Sequence, residues 1–285
     1  MAFSSRRSDR ASASPPRLVR DELVAGLLQD YGVHPYGKWR GAFWRLASLV
    51  ELGVARNDSI DAAADSVLAW LANPRRLRSL PTLEGRVRRC ASQDGLALYV
   101  LSALGFDDER LQILAESLVA SQWPDGGWNC DRRPAAAHSS FNETWGPTLG
   151  LAAHGRAVGE RHATVAAEAA AEFLLRHQVF QSHRTGEPAH PALLNLRFPP
   201  YWHYDVLVGL VTLARSVGLD DRRVATALDL VESRRLPDGT WHTEGKWWKR
   251  PGSKGSNVEA VDWGDTADEL LTDRALEVLH AGGRQ

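Results

Sequence analysis

The stretch from Gly105 to Trp128, GFDDERLQILAESLVASQWPDGGW, returns 113 residues later, without a gap, as GLDDRRVATALDLVESRRLPDGTW from Gly218 to Trp241. Each copy opens on Gly-x-Asp-Asp and closes on Pro-Asp-Gly-x-Trp. Between those signals the apolar residues fall three or four apart: Leu111, Leu114 and Leu118 in the first copy, Val224, Leu228 and Val231 in the second. Glu109, Gln112 and Glu116, and likewise Arg223, Asp229 and Glu232, occupy the other faces. That period predicts an amphipathic helix in each copy. Asp107 and Asp220 stand where N-caps belong. A repeat at fixed offset makes the chain an array of supersecondary units that bury their apolar faces on one another.

Working outward, the helix-ending glycines Gly53, Gly105, Gly159 and Gly218 are separated by 52, 54 and 59 residues, so one unit is about 55 residues long. Before each glycine lies a second kind of helix, apolar nearly all round, as in Gly95 to Leu104 and Val206 to Ala214. Such a segment is buried on every side. The unit is therefore a buried helix, a tight turn, a half-exposed helix and a loop. Buried segments are expected to begin near Trp39, Gln93, Phe141, Trp202 and Gly264, with an extra helix at 18–30. Strand signals are nearly absent. The inner helices are less polar than the outer ones, which favours closure into an α/α toroid over an open solenoid that would wet its concave row. The expectation is an all-α chain: one domain over 18–285, preceded by a Ser/Arg-rich arm over 1–17 that cannot bury enough to offset its ordering entropy.

Composition bounds the function. With 34 Lys+Arg against 35 Asp+Glu, the chain carries no global basic field for a nucleic-acid backbone. No apolar run approaches the roughly 18–20 residues of a membrane-spanning helix. The two cysteines, Cys90 and Cys130, are too few for a disulfide scaffold, and the N-terminal residues have no apolar core of a signal peptide; a cytoplasmic location is the expectation. Eleven tryptophans, against seven Phe and five Tyr, are a large amount of flat apolar surface.

The run Gln122-Trp-Pro-Asp-Gly-Gly-Trp128, with Arg235-Leu-Pro-Asp-Gly-Thr-Trp241 as a second copy, resembles the Q-x3-G-x-W repeat signature of the terpenoid cyclase and protein prenyltransferase superfamily of α/α toroids. The amide at the end of an outer helix can satisfy free backbone groups while Trp covers the turn. Tyr201-Trp-His203 resembles the aromatic-aromatic-His element that binds catalytic zinc in the prenyltransferases. Their Asp-x-Cys pair is replaced: Ala136 and His138 stand at those positions before Ser140-Phe141, and a thiol and a carboxylate come earlier, at Cys130 and Asp131. The Asp-x-Asp-Asp acid signature of squalene-hopene cyclases is missing. The resemblance spans roughly residues 38–283 and implies a prenyltransferase-like or terpene-cyclase-like enzyme holding a long apolar substrate in the barrel.

In a ring of parallel inner helices, their N-termini and entering loops share one mouth. That gathers Gln93 and Asp94, Asn142 and Glu143, His203 and Asp205, and Asp265 and Asp268, with Asn129, Cys130, Asp131, His138 and His242 from the loops. An apolar tunnel with convergent polar groups at one end is the default ligand site. Cys130, His138 and His203 are candidate zinc ligands, since thiolate and imidazole are usual donors and three with an open position make a catalytic centre. Without a metal, Asp131, Asp205 or Asp265 kept protonated would serve as general acid to an alkene. Trp44, Trp145, Tyr201, Trp202 and Trp263 either line the pocket and stabilise cations through their faces or serve as core packing. The long loop from Trp241 to Trp263 holds three of the chain's four lysines. Lys246 with Lys249, Arg250 and Lys254 would grip a phosphate from it, or form a solvated loop. Asn142 and Glu143 complete the substrate-side candidates. Two other readings accompany this one: a carbohydrate-active α/α barrel with Asp131 facing Asp205 or Asp265 across a groove, and a non-catalytic repeat scaffold.

Overall fold

The computed structural model describes residues 17–284. Of the arm expected over residues 1–17, all but Arg17 lies outside the described residues. The chain is mostly helical, in the order α1 (Arg17–Leu28), α2 (Ala42–Glu51), α3 (Asp58–Leu71), α4 (Pro74–Arg78), α5 (Ala91–Ala103), α6 (Glu109–Ala120), α7 (Phe141–Val158), α8 (Arg161–Arg176), α9 (Val206–Ser216), α10 (Ala225–Ser233) and α11 (Thr266–Ala281). The strands among the described residues are a two-residue antiparallel pair, Thr82–Leu83 with Arg86–Val87. No helix of the described residues is long and apolar enough to cross a membrane.

The two helix classes read from the sequence are present. Every residue from Glu143 to Ala152 in α7 and from Val206 to Leu213 in α9 is buried, whereas α6 buries only Leu111, Leu114, Ala115 and Leu118. The apolar helices follow one another as neighbours: α2 packs on α5, α5 on α7, α7 on α9 and α9 on α11. The closest pair is α5 and α7, running parallel, with Ser92 beside Glu143 and Gly95 beside Pro147. A β-carbon on Gly95 would lie 2.1 Å from the Pro147 nitrogen, and one on Gly150 would lie 2.2 Å from the Gly95 carbonyl oxygen, so side chains there would force the helices apart. At the C-terminal ends of the inner helices Glu51 joins α2 to two others, through Arg274 of α11 at 2.9 Å and Arg215 of α9 at 3.3 Å. Burial opposes charge on Glu51, but the two guanidiniums outweigh it and hold its carboxyl below the usual range.

The repeat signals act as turn chemistry. Gly53, Gly105, Gly159 and Gly218 all take positive φ (65°, 70°, 70° and 91°), the left-handed conformation that ends a helix. The caps sit one residue later than expected: Asp108 and Asp221, not Asp107 and Asp220, have extended backbone, and each accepts from the N–H two residues on, at Arg110 and Arg223. Each arginine also returns its Nε to the same carboxylate. Gln122 donates from Nε2 to the carbonyls of Gly126 (2.7 Å) and Ala166 (2.8 Å), which ties α6 to α8. Trp128 and Trp241 are fully buried and donate from Nε1 to the carbonyl ten residues back, Leu118 at 3.1 Å and Val231 at 2.7 Å. Both tryptophans therefore fasten the loop onto the last turn of the preceding outer helix.

Candidate functional site

Because α5 and α7 are parallel and almost in backbone contact, what precedes α5 meets the first turn of α7. Cys90 is the N-cap residue of α5, Glu143 lies in the first turn of α7, and Cys130 comes from the loop between α6 and α7. Their sulfurs and a carboxylate oxygen all lie within 4.8 Å of one another, a group able to hold a metal ion. Cys90 is exposed, Cys130 half-buried and Glu143 buried, so the group opens to solvent on the Cys90 side. Glu143 Oε2 accepts from the backbone N–H (3.0 Å) and hydroxyl (2.9 Å) of Ser92, which fixes the carboxylate. Burial raises the Glu143 carboxyl above its ordinary range. The Cys130 thiol hydrogen bond holds Cys90 below the ordinary thiol range, and Cys130, as that donor, is pushed up. Of the two thiols, Cys90 is the one that gives up its proton more readily.

Beneath this group is a buried ion cluster. Asp94 pairs with Arg76 at 2.8 Å and Arg89 at 2.8 Å. Burial acts to raise the Asp94 carboxyl, but Arg89 and Arg76 overcome it and leave it lowered. Arg89 also donates to the Ser117 carbonyl and to the hydroxyls of Ser117 and Ser121, locking the chain next to Cys90 onto α6. Tyr36, whose hydroxyl burial pushes up to about 12, borders the group and packs against Trp44 with ring centres 4.9 Å apart.

Between the inner helices lies a narrow, mainly apolar cavity of about 50 Å³. Ala47 and Ser48 of α2, Leu96 and Val100 of α5, Trp145 and Leu149 of α7 and Val208 and Val211 of α9 wall it. Glu51, Tyr99, Arg215 and Arg274 and the segment Phe198 to Tyr201 complete its lining, with the Arg274 guanidinium over the Phe198 ring at 4.8 Å. Leu96 is six residues beyond Cys90, about 9 Å along α5, so the thiol pair caps the N-terminus of α5 while the cavity lies from its middle, at Leu96, toward its C-terminal half, at Tyr99 and Val100. Tyr201 takes φ +52°, stacks on Trp39 at 3.8 Å and donates its hydroxyl to the buried carboxylate of Glu259. Burial raises the Glu259 carboxyl to about 7.

The expected site residues are dispersed differently. The anticipated ligand set of Cys130, His138 and His203 is not brought together: Cys130 is joined by Cys90 and Glu143. His203 is clamped between the Trp202 and Trp247 rings at 3.9 and 3.7 Å, with Nδ1 against the Pro200 carbonyl. Burial lowers it to about 4. His138 is next to His183 instead. Of the three candidate acids, Asp131 is half-buried and held at about 2 by the Arg133 guanidinium, and Asp265 is exposed on a groove outside α11. Asp205 is buried as the cap of α9, accepting from Val208 and Arg197; burial raises it to about 6. Asp131 and Asp205 are each engaged locally, the one by Arg133 and the other by the first turn of α9.

Trp145 and Tyr201 line the cavity as anticipated. Trp44 is core, donating to the Tyr36 carbonyl, and Asn142 accepts from the Tyr204 N–H. Trp202 keeps its indole nitrogen buried without a hydrogen-bond partner, and Trp263 packs edge-on against Phe198. Lys246 lies over the Trp248 ring. Cys90, Ser92 and Tyr36 were not anticipated. The signal for Cys90 was its place directly before an inner helix whose neighbour begins with Glu143, together with the glycines at 95, 146 and 150 that allow contact. No protein-family model matches the chain, and no curated protein matches it.

Proposed function

We propose that the protein is an enzyme of α/α-toroid architecture that takes a long apolar, isoprenoid-like substrate between its inner helices and works on it at their N-terminal end. The observation that carries this reading is the convergence of two thiols and a buried carboxylate at the N-terminal ends of α5 and α7, whose middle turns wall a mainly apolar cavity lined also by Tyr201. Sites of this form, apolar with a few convergent polar groups, are where small molecules bind. Two sulfurs and one oxygen are a donor set suited to zinc, with the fourth tetrahedral position left to water or substrate. Cys90, Cys130 and Glu143 would hold the ion, which supplies Lewis acidity there. Ser92 orients Glu143, and the Arg76–Asp94–Arg89 cluster fixes the start of α5. The rings of Trp145 and Tyr201 give a developing cation a π face.

The substrate side of the proposal is tested by titrating the protein with a fluorescent farnesyl analogue. Wild type is expected to bind it, and Leu149→Trp, which fills the cavity, is expected to weaken binding at least about tenfold, equivalent to ~1.4 kcal/mol, while the protein stays folded by circular dichroism. No binding by wild type, or equal binding by the variant, would overturn the reading.

A further inference from the structure

The chain's two cysteines stand far apart in sequence and meet at the start of α5, with their sulfurs within 4.8 Å of each other. Both are free thiols. The residues just before them are joined through the backbone, the Arg89 N–H donating to the Asn129 carbonyl at 3.2 Å. Chain segments joined by such a bond run about 4.8 Å apart, inside the roughly 4.4–6.8 Å of Cα separation that a disulfide spans. Closing an S–S bond here asks for rotation of two short side chains, not for movement of the fold. Each backbone is also held from outside the pair. Arg89 is tied to Asp94 and to the Ser117 carbonyl, while Asn129 accepts the Asp131 N–H (2.9 Å) and donates to the His138 carbonyl (2.8 Å). Arg88 reaches across to the Ala136 carbonyl at 2.7 Å, a further strap between the two segments. Cys90 is exposed and Cys130 half-buried, so a dissolved oxidant meets Cys90 first.

We propose that Cys90 and Cys130 form a reversible dithiol–disulfide site, oxidised by hydrogen peroxide or a related hydroperoxide and reduced by a small dithiol. The Cys90 sulfur attacks one peroxide oxygen, the O–O bond breaks, and the other oxygen leaves as water with the thiol proton, giving the sulfenic acid at Cys90. The Cys130 sulfur then attacks the Cys90 sulfur; the S–O bond breaks, the S–S bond forms, and the hydroxyl leaves as a second water with the Cys130 proton. Two electrons pass from the sulfur pair to the peroxide. Exchange with a dithiol returns both thiols and carries the disulfide away. The bond removes two of the three donors of the Cys90, Cys130 and Glu143 group, so oxidation releases a zinc ion held there. That consequence rests on the zinc reading above, whereas the bond itself does not.

The test treats the full-length protein with hydrogen peroxide in the presence of a chelator, blocks remaining thiols with iodoacetamide and maps the tryptic peptides without reduction. The expected result is loss of both alkylatable thiols and a linked pair of peptides, 90–110 with 111–132, within one chain, reversed by dithiothreitol. Cys130→Ser should instead leave Cys90 as a sulfenic acid that dimedone traps. In glutathione redox buffers the pair's effective concentration should be at least about tenfold higher in the folded protein than in urea, because the fold brings the sulfurs together. Thiols that stay open to alkylation after peroxide, linkage only between chains, or equal effective concentrations with and without urea would overturn the site. A parallel sample loaded with zinc separates the two readings: zinc should be released in step with linkage, while linkage in a protein that never binds zinc would leave the disulfide site standing and fail only the metal.

Discussion

Trp128→Ala and Trp241→Ala are each expected to lose about 3–5 kcal/mol of unfolding free energy, among the largest single-residue losses in the molecule. Both indoles are fully buried, and truncation removes the largest apolar side chain and opens a cavity at the turn. It also strips the Nε1 donor from the carbonyl of Leu118 or Val231, in the last turn of an outer helix that has few other ways to satisfy its free carbonyls. Tryptophan to phenylalanine should separate the two effects, keeping most of the ring while losing the hydrogen bond, for about 1 kcal/mol. Urea denaturation followed by circular dichroism measures both. A loss under about 1 kcal/mol for either alanine variant would mean that the Pro-Asp-Gly-x-Trp motif does not fasten the repeat.

Asp94→Ala should be comparably costly, about 3–5 kcal/mol, because it leaves charge buried rather than merely breaking a pair. Arg89 has a side chain only 1% exposed, and Asp94 is its carboxylate partner. The pH dependence has a definite sign. Arg89 and Arg76 keep the folded-state carboxyl of Asp94 below its unfolded value of about 3.9. Its contribution is therefore fully present above that value and disappears as pH falls through the folded one. The stability gap between wild type and Asp94→Ala should thus narrow on acidification below pH 4. A gap that widened there, or a variant as stable as wild type at pH 7, would contradict the role given to this cluster.

These examples show how much the sequence disclosed. Helix classes, unit length and turn positions were legible because they rest on local chemistry: periodicity in Leu111, Leu114 and Leu118, and positive φ at Gly105 and Gly218. The caps were misplaced by one residue because an Asp-Asp pair offers two adjacent carboxylates, and only backbone φ and ψ decide which one reaches the helix N–H groups. The site was only partly legible. Cys130 and Glu143 were recognised as chemistry-bearing, but their partner was not, since Cys90 is 40 residues from Cys130 and meets it only through the α5–α7 approach. His203 looked free in the sequence, yet two indole faces cover it. Asp205 and Asp131 read as acids, but one is consumed as a helix cap and the other as a surface partner of Arg133.

The most direct test of the central claim is the zinc content of the purified protein, by elemental mass spectrometry, for wild type beside Cys90→Ser, Cys130→Ser, Glu143→Gln and His203→Ala. The expected result is about one zinc per chain in wild type and in His203→Ala. It should be lost in both serine variants and reduced in Glu143→Gln. Zinc retained without either cysteine, or lost in His203→Ala while both cysteines remain, would contradict the assignment of the metal-binding end of the inner helices to Cys90, Cys130 and Glu143.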